Sequence, residues 1–291
     1  MTFTAIILHY KKETLEYTFD CIDSLLNMKT YNNEKLNIIV VDNNSNDNSD
    51  SLLKDRYKDI IDLITIEENM GFSNPINQAA KYANRKYNPD FFISLNNDTK
   101  ILTDDFFERI IVNYAQTKFD LLGPDIITNN QKHQNPYPQN LKYDSSYIYS
   151  YILRLKRSMK YIKVLNKFKL FFVYSAVKRL KMFILQYIFK YKLLKKSYLF
   201  IRNKPIGSNL NYVSEMHSVP LHGSVIIFSK KYFNRFQYLF YPKKSFYAEE
   251  DFLHYISIFH DLVSTYEPTS KVHHYEDVST DVTFSKSYEK I

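Results

Sequence analysis

Several absences narrow what this 291-residue chain can be. A single cysteine, Cys21, excludes an intramolecular disulfide framework and any cysteine-built zinc or iron–sulfur cage, and it reads as a small buried helix residue. The four glycines, Gly71, Gly123, Gly207 and Gly223, stand too far apart to form a phosphate-cradling loop, which excludes P-loop and dinucleotide fingerprints. No stretch approaches the roughly 18 uninterrupted apolar residues of a spanning helix. The apolar run in MTFTAIILHYKK is short and followed, not preceded, by lysines, unlike a secretory leader. These features predict a cytoplasmic protein. The longest absence is of acid: residues 145–214 hold no Asp or Glu, and no Pro or Gly falls between Pro138 and Pro205.

What is present is the composition of a globular chain, 45% hydrophobic and 24% charged, with a formal charge of +8. That charge is unevenly placed. Residues 145–214 carry 16 Lys and Arg, leaving 23 basic against 31 acidic residues elsewhere, a net −8. Within the basic stretch, runs such as RLKRSMKYIKVLNKFKLFF interleave lysines with aromatic and aliphatic residues, the pattern of basic amphipathic helices.

The first 125 residues alternate strand-like and helix-like segments. Apolar runs at Phe3 to Leu8, Leu36 to Asp42, Ile60 to Ile66 and Asp90 to Leu95 predict strands, and Lys12 to Met28 and Ser73 to Tyr87 predict helices. Thr103 is the expected N-cap of a further helix, with Asp104 and Asp105 in its first turn. After the basic stretch, Val219 to Phe228 reads as a strand, SFYAEEDFLHYISIF as a helix through Ile258, and the segment bearing His273 and His274 as a last strand. Such alternation predicts an α/β sheet, mostly parallel, with ligands at the carboxyl ends of its strands.

The strand-end residues are therefore the candidates for chemistry. Asn96, Asn97 and Asp98 follow a fully apolar strand, where oxygen ligands can hold Mg²⁺ or Mn²⁺ against a diphosphate; an ordinary turn is the equal alternative. Asp42 closes the run VVDNNS, where a carboxylate can accept from a base N–H or a ribose hydroxyl, although Asx-rich turns look the same. Gly71 and Phe72 precede a helix N-terminus, where free N–H groups favour anions and a hydrophobic staple is an equally good local account. Glu249, Glu250 and Asp251 are adjacent carboxylates whose repulsion raises at least one pKa, as a general base needs; a solvated acidic helix start is the alternative.

The order of these segments carries more than any one of them. VVDNNS, ENMGFSNPINQAA, LNND, HGSVIIF, FYAEEDFL and a late histidine pair together resemble the inverting family 2 glycosyltransferases of GT-A fold, in particular the bacterial branch that builds surface polysaccharides, such as rhamnosyl- and galactosyltransferases. The resemblance covers residues 1 to about 125 and 215 to about 280. It implies a GT-A α/β domain formed by a nucleotide-sugar half, 1–144, and an acceptor and catalytic-base half, 215–291, with residues 145–214 inserted as a basic helical arm. It also implies roles for particular residues: Asp42, Asn44 and Ser45 at the nucleobase; Asn69, Gly71, Phe72 and Asn77 around the nucleoside; Asn96 and Asn97 beside Asp98, the chief charged metal ligand; and Gly223 beside the sugar. The motif's first acidic position is Asn96 here. The acidic segment implies a catalytic base, Asp251 in one register and Glu250 in the other, with Glu249 adjacent, and His273 or His274 as a late ligand of the metal or diphosphate.

The implied reaction is metal-dependent transfer of a sugar from a UDP-hexose or dTDP-rhamnose donor to a glycan acceptor, often lipid-linked in such enzymes. For the basic arm, contact with an anionic membrane face explains both its lysines and its aromatics, which places the protein peripherally on the inner face of the cell membrane. A nucleic-acid partner is disfavoured because no recognised binding motif is present. The competing functional readings are a catalytically silent scaffold of the same fold and a nucleotidyltransferase, whose glycine-rich phosphate loop is lacking.

Overall fold

The computed structural model describes residues 1–28, 34–137, 212–242 and 249–276. All of them fall in one compact unit, Met1–Gln139 and Tyr212–Ile291. The basic arm expected over 145–214 lies outside the described residues except for 212–214.

Four strands form the first half of the sheet: β1 (Thr2–His9), β2 (Lys35–Asp42), β3 (Ile61–Thr65) and β4 (Phe91–Asn96), in the order β3-β2-β1-β4 and all parallel. Parallel strands joined by helical crossovers are covered on both faces, which is why these segments read as near-continuous apolar runs. Beyond β4 the sheet is mixed. β8 (Val225–Ser229) runs antiparallel to β4, β6 (Leu121–Thr128) antiparallel to β8, and β9 (Ser264–His274) parallel to β6. The short strands β5 (Thr99–Ile101) and β7 (Met216–His217) pair antiparallel with β9.

Strand alternation sorts the core into two layers. Phe3, Ala5 and Ile7 of β1 with Ile38 and Val40 of β2 face α1 (Leu15–Leu26), α2 (Ser49–Tyr57) and α4 (Phe106–Thr117). Ile6, Ile39 and Val41 face the other side, against α3 (Ser73–Lys86), α5 (Lys230–Phe236) and α6 (Glu249–Phe259). On α3 the residues turned to the sheet include Ala79, Ala80 and Ala83, all fully buried, so this helix can lie close to the strands. Cys21 is buried in the first layer and burial pushes its thiol up to about 12, as expected of a packing residue.

Three local expectations differ from what is observed. Thr103 does not cap α4: the N-cap is Asp105, and the Thr103 hydroxyl accepts from Lys271 N–H at 2.7 Å. The strand expected from Val219 begins only at Val225, because the preceding backbone is held elsewhere, His222 N–H donating to Asn135 Oδ1 at 2.7 Å. β6 was not anticipated, since Gly123 and Pro124 interrupt its apolar run, and its pairing with β9 shifts register between Pro124 and Asp125. No helix among the described residues is long and apolar enough to cross a membrane.

Candidate functional site

The carboxyl ends of β2, β1 and β4 lie side by side, His9 pairing with Asp42 on one side and Leu8, the residue before it, with Asn96 on the other. Asp42 and Asn96 are thus two strand spacings apart, about 10 Å. Two groups of side chains build up from this edge.

The first surrounds Asp42, which is 2% exposed. Its Oδ1 accepts from Ser45 N–H at 3.3 Å and from the Ser45 hydroxyl, while Lys11 N–H donates to that hydroxyl at 2.9 Å. Burial pushes the Asp42 carboxyl above its usual range, and the Ser45 bonds pull it back. Asn44, Asn46 and Asn48 take the left-handed conformation, which suits asparagine in so tight a loop. Asn43, within the strand-end run VVDNNS, ties this loop to the next one: its Oδ1 accepts from Met70 N–H at 3.1 Å, and its Nδ2 donates to Gly71 O at 3.0 Å and Asn69 Oδ1 at 3.2 Å. Gly71 has φ 79° and donates to Asn69 Oδ1 at 3.0 Å. Phe72 packs edge-on against Phe240, ring centroids 5.2 Å apart. Asn77 is placed by the fold on the backbone rather than in open space: its Oδ1 accepts from Leu239 and Phe240 N–H at 2.9 and 3.1 Å, and its Nδ2 donates to Phe240 O at 2.7 Å.

The second group gathers past β4. Asn97 turns inward and donates to Thr14 and Thr18 hydroxyls at 2.8 and 3.0 Å. Asn96 ends β4 with its N–H on Ser224 O at 2.8 Å, which sets the β8 entrance beside it. Asp98, 4% exposed, has Oδ1 at 3.3 Å from Nε2 of His274. Antiparallel pairing of Thr99 with His274 makes this contact, and alternation along β9 sends His273 to the opposite face, where its ring meets Tyr275 edge-on at 4.6 Å. Of the two late histidines, His274 is therefore the one beside Asp98.

His222, which opens the HGSVIIF segment next to Gly223, completes this group. Its ring lies 5.7 Å from that of His274. Its Nδ1 accepts from Ser224 N–H at 3.3 Å and pairs with the Ser224 hydroxyl at 2.9 Å, which leaves the proton on Nε2. Burial, reinforced by His274, brings its pKa down to about 3 against the opposing pull of Asp98, so it is a neutral donor. Next to it Gly223 N–H donates to Glu250 Oε1 at 3.2 Å. Glu250 is the second residue of α6; burial raises its pKa, Glu249 and Asp251 add to the rise, and backbone N–H groups, its own and that of Gly223, oppose it. Glu249 is buried and Asp251 half-buried at the same helix start.

A divalent cation fits the Asp98 and His274 atoms. One carboxylate oxygen and one imidazole nitrogen face each other at 3.3 Å, a donor pair suited to Mn²⁺ or Mg²⁺ that takes its other ligands from phosphate and water. Among the described residues no group of three His, Cys, Asp or Glu side chains forms a metal cage.

A half-parallel, half-mixed sheet of this order, flanked by helices and carrying its polar residues at the carboxyl edge, defines an α/β protein of GT-A type. The family model described as "Glycosyl transferase family 2" matches residues 4–185, and the chain belongs to that family. No curated protein matches it. Among solved structures it is similar to S. aureus TarS 1-349 in complex with UDP-GlcNAc, with 20% identity and a TM-score of 0.39 over 50% of this chain and 39% of that one. It is similar also to the mannosyltransferase PcManGT from Pyrobaculum calidifontis in complex with GDP-Man and Mn²⁺, with 18% identity and a TM-score of 0.36 over 42% and 34%. The chain thus spans about two-fifths or less of the length of these proteins.

Proposed function

We propose that the chain is a metal-dependent, inverting glycosyltransferase that moves a hexose or deoxyhexose from a nucleoside-diphosphate donor to a glycan acceptor. The observation that carries this reading is the grouping of Asp98, His274, His222 and the Gly223-bound Glu250 at the carboxyl edge of β4. Asp42 and the loop tied by Asn43 lie two strands away and bind the nucleoside. A bound Mg²⁺ or Mn²⁺ neutralises the charge of the diphosphate. Asp98 and His274 would hold that cation, and His222 Nε2–H would donate to a phosphate or sugar oxygen.

Glu250 is the general base. Its carboxylate takes the proton of the acceptor hydroxyl as that oxygen bonds to the anomeric carbon; the bond from that carbon to the diphosphate oxygen breaks, and the nucleoside diphosphate leaves on the opposite face. One displacement inverts the anomeric configuration. The donor is a UDP-hexose or dTDP-rhamnose, the acceptor a lipid-linked saccharide of surface-polysaccharide synthesis, and residues 145–214 hold the protein on the anionic inner face of the membrane.

A panel of nucleotide-sugars tested with Mn²⁺ for binding and for nucleoside diphosphate release checks the reaction. Asp98→Ala is expected to abolish metal-dependent transfer, and full activity in that variant sinks the assignment. Release of pyrophosphate instead of nucleoside diphosphate would identify a nucleotidyltransferase, and no release with any donor would favour a scaffold. Neutralising the lysines of 145–214 is expected to weaken cosedimentation with anionic vesicles; unchanged cosedimentation counts against membrane contact.

A further inference from the structure

His274 uses both ring nitrogens. Nε2 faces Asp98, and Nδ1 lies 2.7 Å from Gln134 Oε1. Gln134 in turn donates from Nε2 to Glu276 Oε1 at 3.0 Å. On the Nδ1 side these contacts have one consistent proton arrangement. An ionised carboxylate only accepts, so the amide nitrogen of Gln134 faces Glu276 and its oxygen faces the imidazole. A carbonyl oxygen cannot donate, so the proton between it and the ring belongs to Nδ1 of His274. Nε2, the atom 3.3 Å from Asp98 Oδ1, is then the ring nitrogen left to face a cation.

Two acceptor atoms so close, on side chains only 8% and 6% exposed, are held together by a positive charge between them, a proton or a divalent cation. The surrounding backbone also holds them in place. Gln134 N–H donates to Ile126 O at 2.9 Å, which fixes the turn after β6 against that strand. Tyr275 N–H donates to Asp98 O at 3.0 Å, which fixes the end of β9 against the residue that presents the carboxylate. Imidazoles that bind metals are commonly oriented in this way, by a hydrogen bond from the nitrogen not used for ligation.

We propose that Gln134, backed by Glu276, is a positioning residue that locks His274 in its Nδ1–H form and turns its Nε2 lone pair, together with Asp98, onto a divalent cation. The inference rests on the metal-dependent reading above and adds two residues to it that do not touch substrate.

The test uses the full chain, with Mn²⁺ alone as the probe. In metal-free protein labelled with ¹⁵N-histidine, two-bond proton–nitrogen spectra at pH 8 are expected to show His274 protonated on Nδ1 only. Mn²⁺ titration followed by electron paramagnetic resonance is expected to show binding weakened about 10- to 100-fold by Gln134→Leu. The exchanged pair Gln134→Glu with Glu276→Gln keeps an oxygen facing Nδ1 and a donor behind it, and is expected to recover most of that affinity, which a purely structural role for Gln134 does not predict. An Nε2–H or doubly protonated His274 in the wild type overturns the inference, as does wild-type Mn²⁺ affinity in Gln134→Leu. Failure of the wild type itself to bind Mn²⁺ overturns the metal reading and the inference together, whereas binding by the wild type with no loss in Gln134→Leu overturns the relay alone.

Discussion

The carboxylate of Glu250 occupies the space where a side chain on Gly223 would stand: a Cβ built there meets Oε1 at 2.6 Å, and the Gly223 N–H donates to the same oxygen at 3.2 Å. Position 223 lacks a side chain because a carboxylate is seated on its backbone. Gly223→Ala is therefore expected to displace Glu250 rather than to disrupt the core, since the atom met is the end of a side chain. A shift of about 1 Å in a reacting group can cost 100-fold, so kcat is expected to fall about 10- to 100-fold. Thermal melting is expected to change little, and a Gly223→Ala enzyme with wild-type kcat would separate this contact from the chemistry.

Under the proposed mechanism the same contact favours Glu250 among the carboxylates of α6. Glu250→Gln is expected to lower kcat by a factor on the order of 10² to 10⁴, the usual worth of a general base, with Asp251→Asn losing far less. The sign of the pH effect follows from burial. Because burial raises the Glu250 pKa, the basic form is lost on acidification earlier than for an exposed glutamate, and the acid limb of kcat is expected above the ordinary glutamate range. A larger loss in Asp251→Asn than in Glu250→Gln would reverse the assignment.

Asn77 separates a scaffold role from a binding role. Its three bonds to the backbone of Leu239 and Phe240 hold a segment more than 160 residues away, and Phe240 supports Phe72. Asn77→Ala leaves buried backbone groups unpaired and is expected to cost about 2 to 3 kcal/mol in chemical denaturation. The donor KM of the folded variant is expected to stay within a few-fold of wild type. A large rise in KM with unchanged stability would return Asn77 to the nucleoside pocket.

How far the sequence could foretell this arrangement depended on the range of the interactions. β1, β2 and β4 were legible because strands buried on both faces are continuous apolar runs, and Asp42 and Asp98 were legible because they end such runs. β6 was not, because Gly123 and Pro124 break its pattern while β8 and β9 supply its partners from more than 90 residues away. The choice between His273 and His274 needed the β5–β9 register, which no local spacing encodes. His222, Asn43 and Gln134 are defined by what they bond across the sheet edge, and a lone His, Asn or Gln gives no periodic signal. Glu250 and Gly223 were both visible as candidates, but only the fold shows that they are one feature.

His9 provides a prediction about stability rather than catalysis. It ends β1 beside Asp42, is fully buried, and has Nδ1 2.8 Å from the Thr18 hydroxyl. That hydroxyl donates to Thr14 O at 3.1 Å, so the imidazole donates to it and is neutral with Nδ1 protonated. Burial pulls the His9 pKa down to about 4, despite the opposing charges of Asp47 and Asp50. In the unfolded chain the group titrates near its ordinary value of about 6.5. Between these values the unfolded state takes up a proton that the folded state refuses, so the stability tied to neutral His9 is fully present above about pH 6.5 and is lost as the pH falls toward 4. The expected loss from this one group between pH 7 and 4.5 is about 2 to 3 kcal/mol, measured by urea unfolding at both values. His9→Asn is expected to be less stable than wild type at pH 7 but to lose less on acidification. An acid-induced loss as large in His9→Asn as in the wild type would assign the effect to other groups, of which His222 is the next to examine.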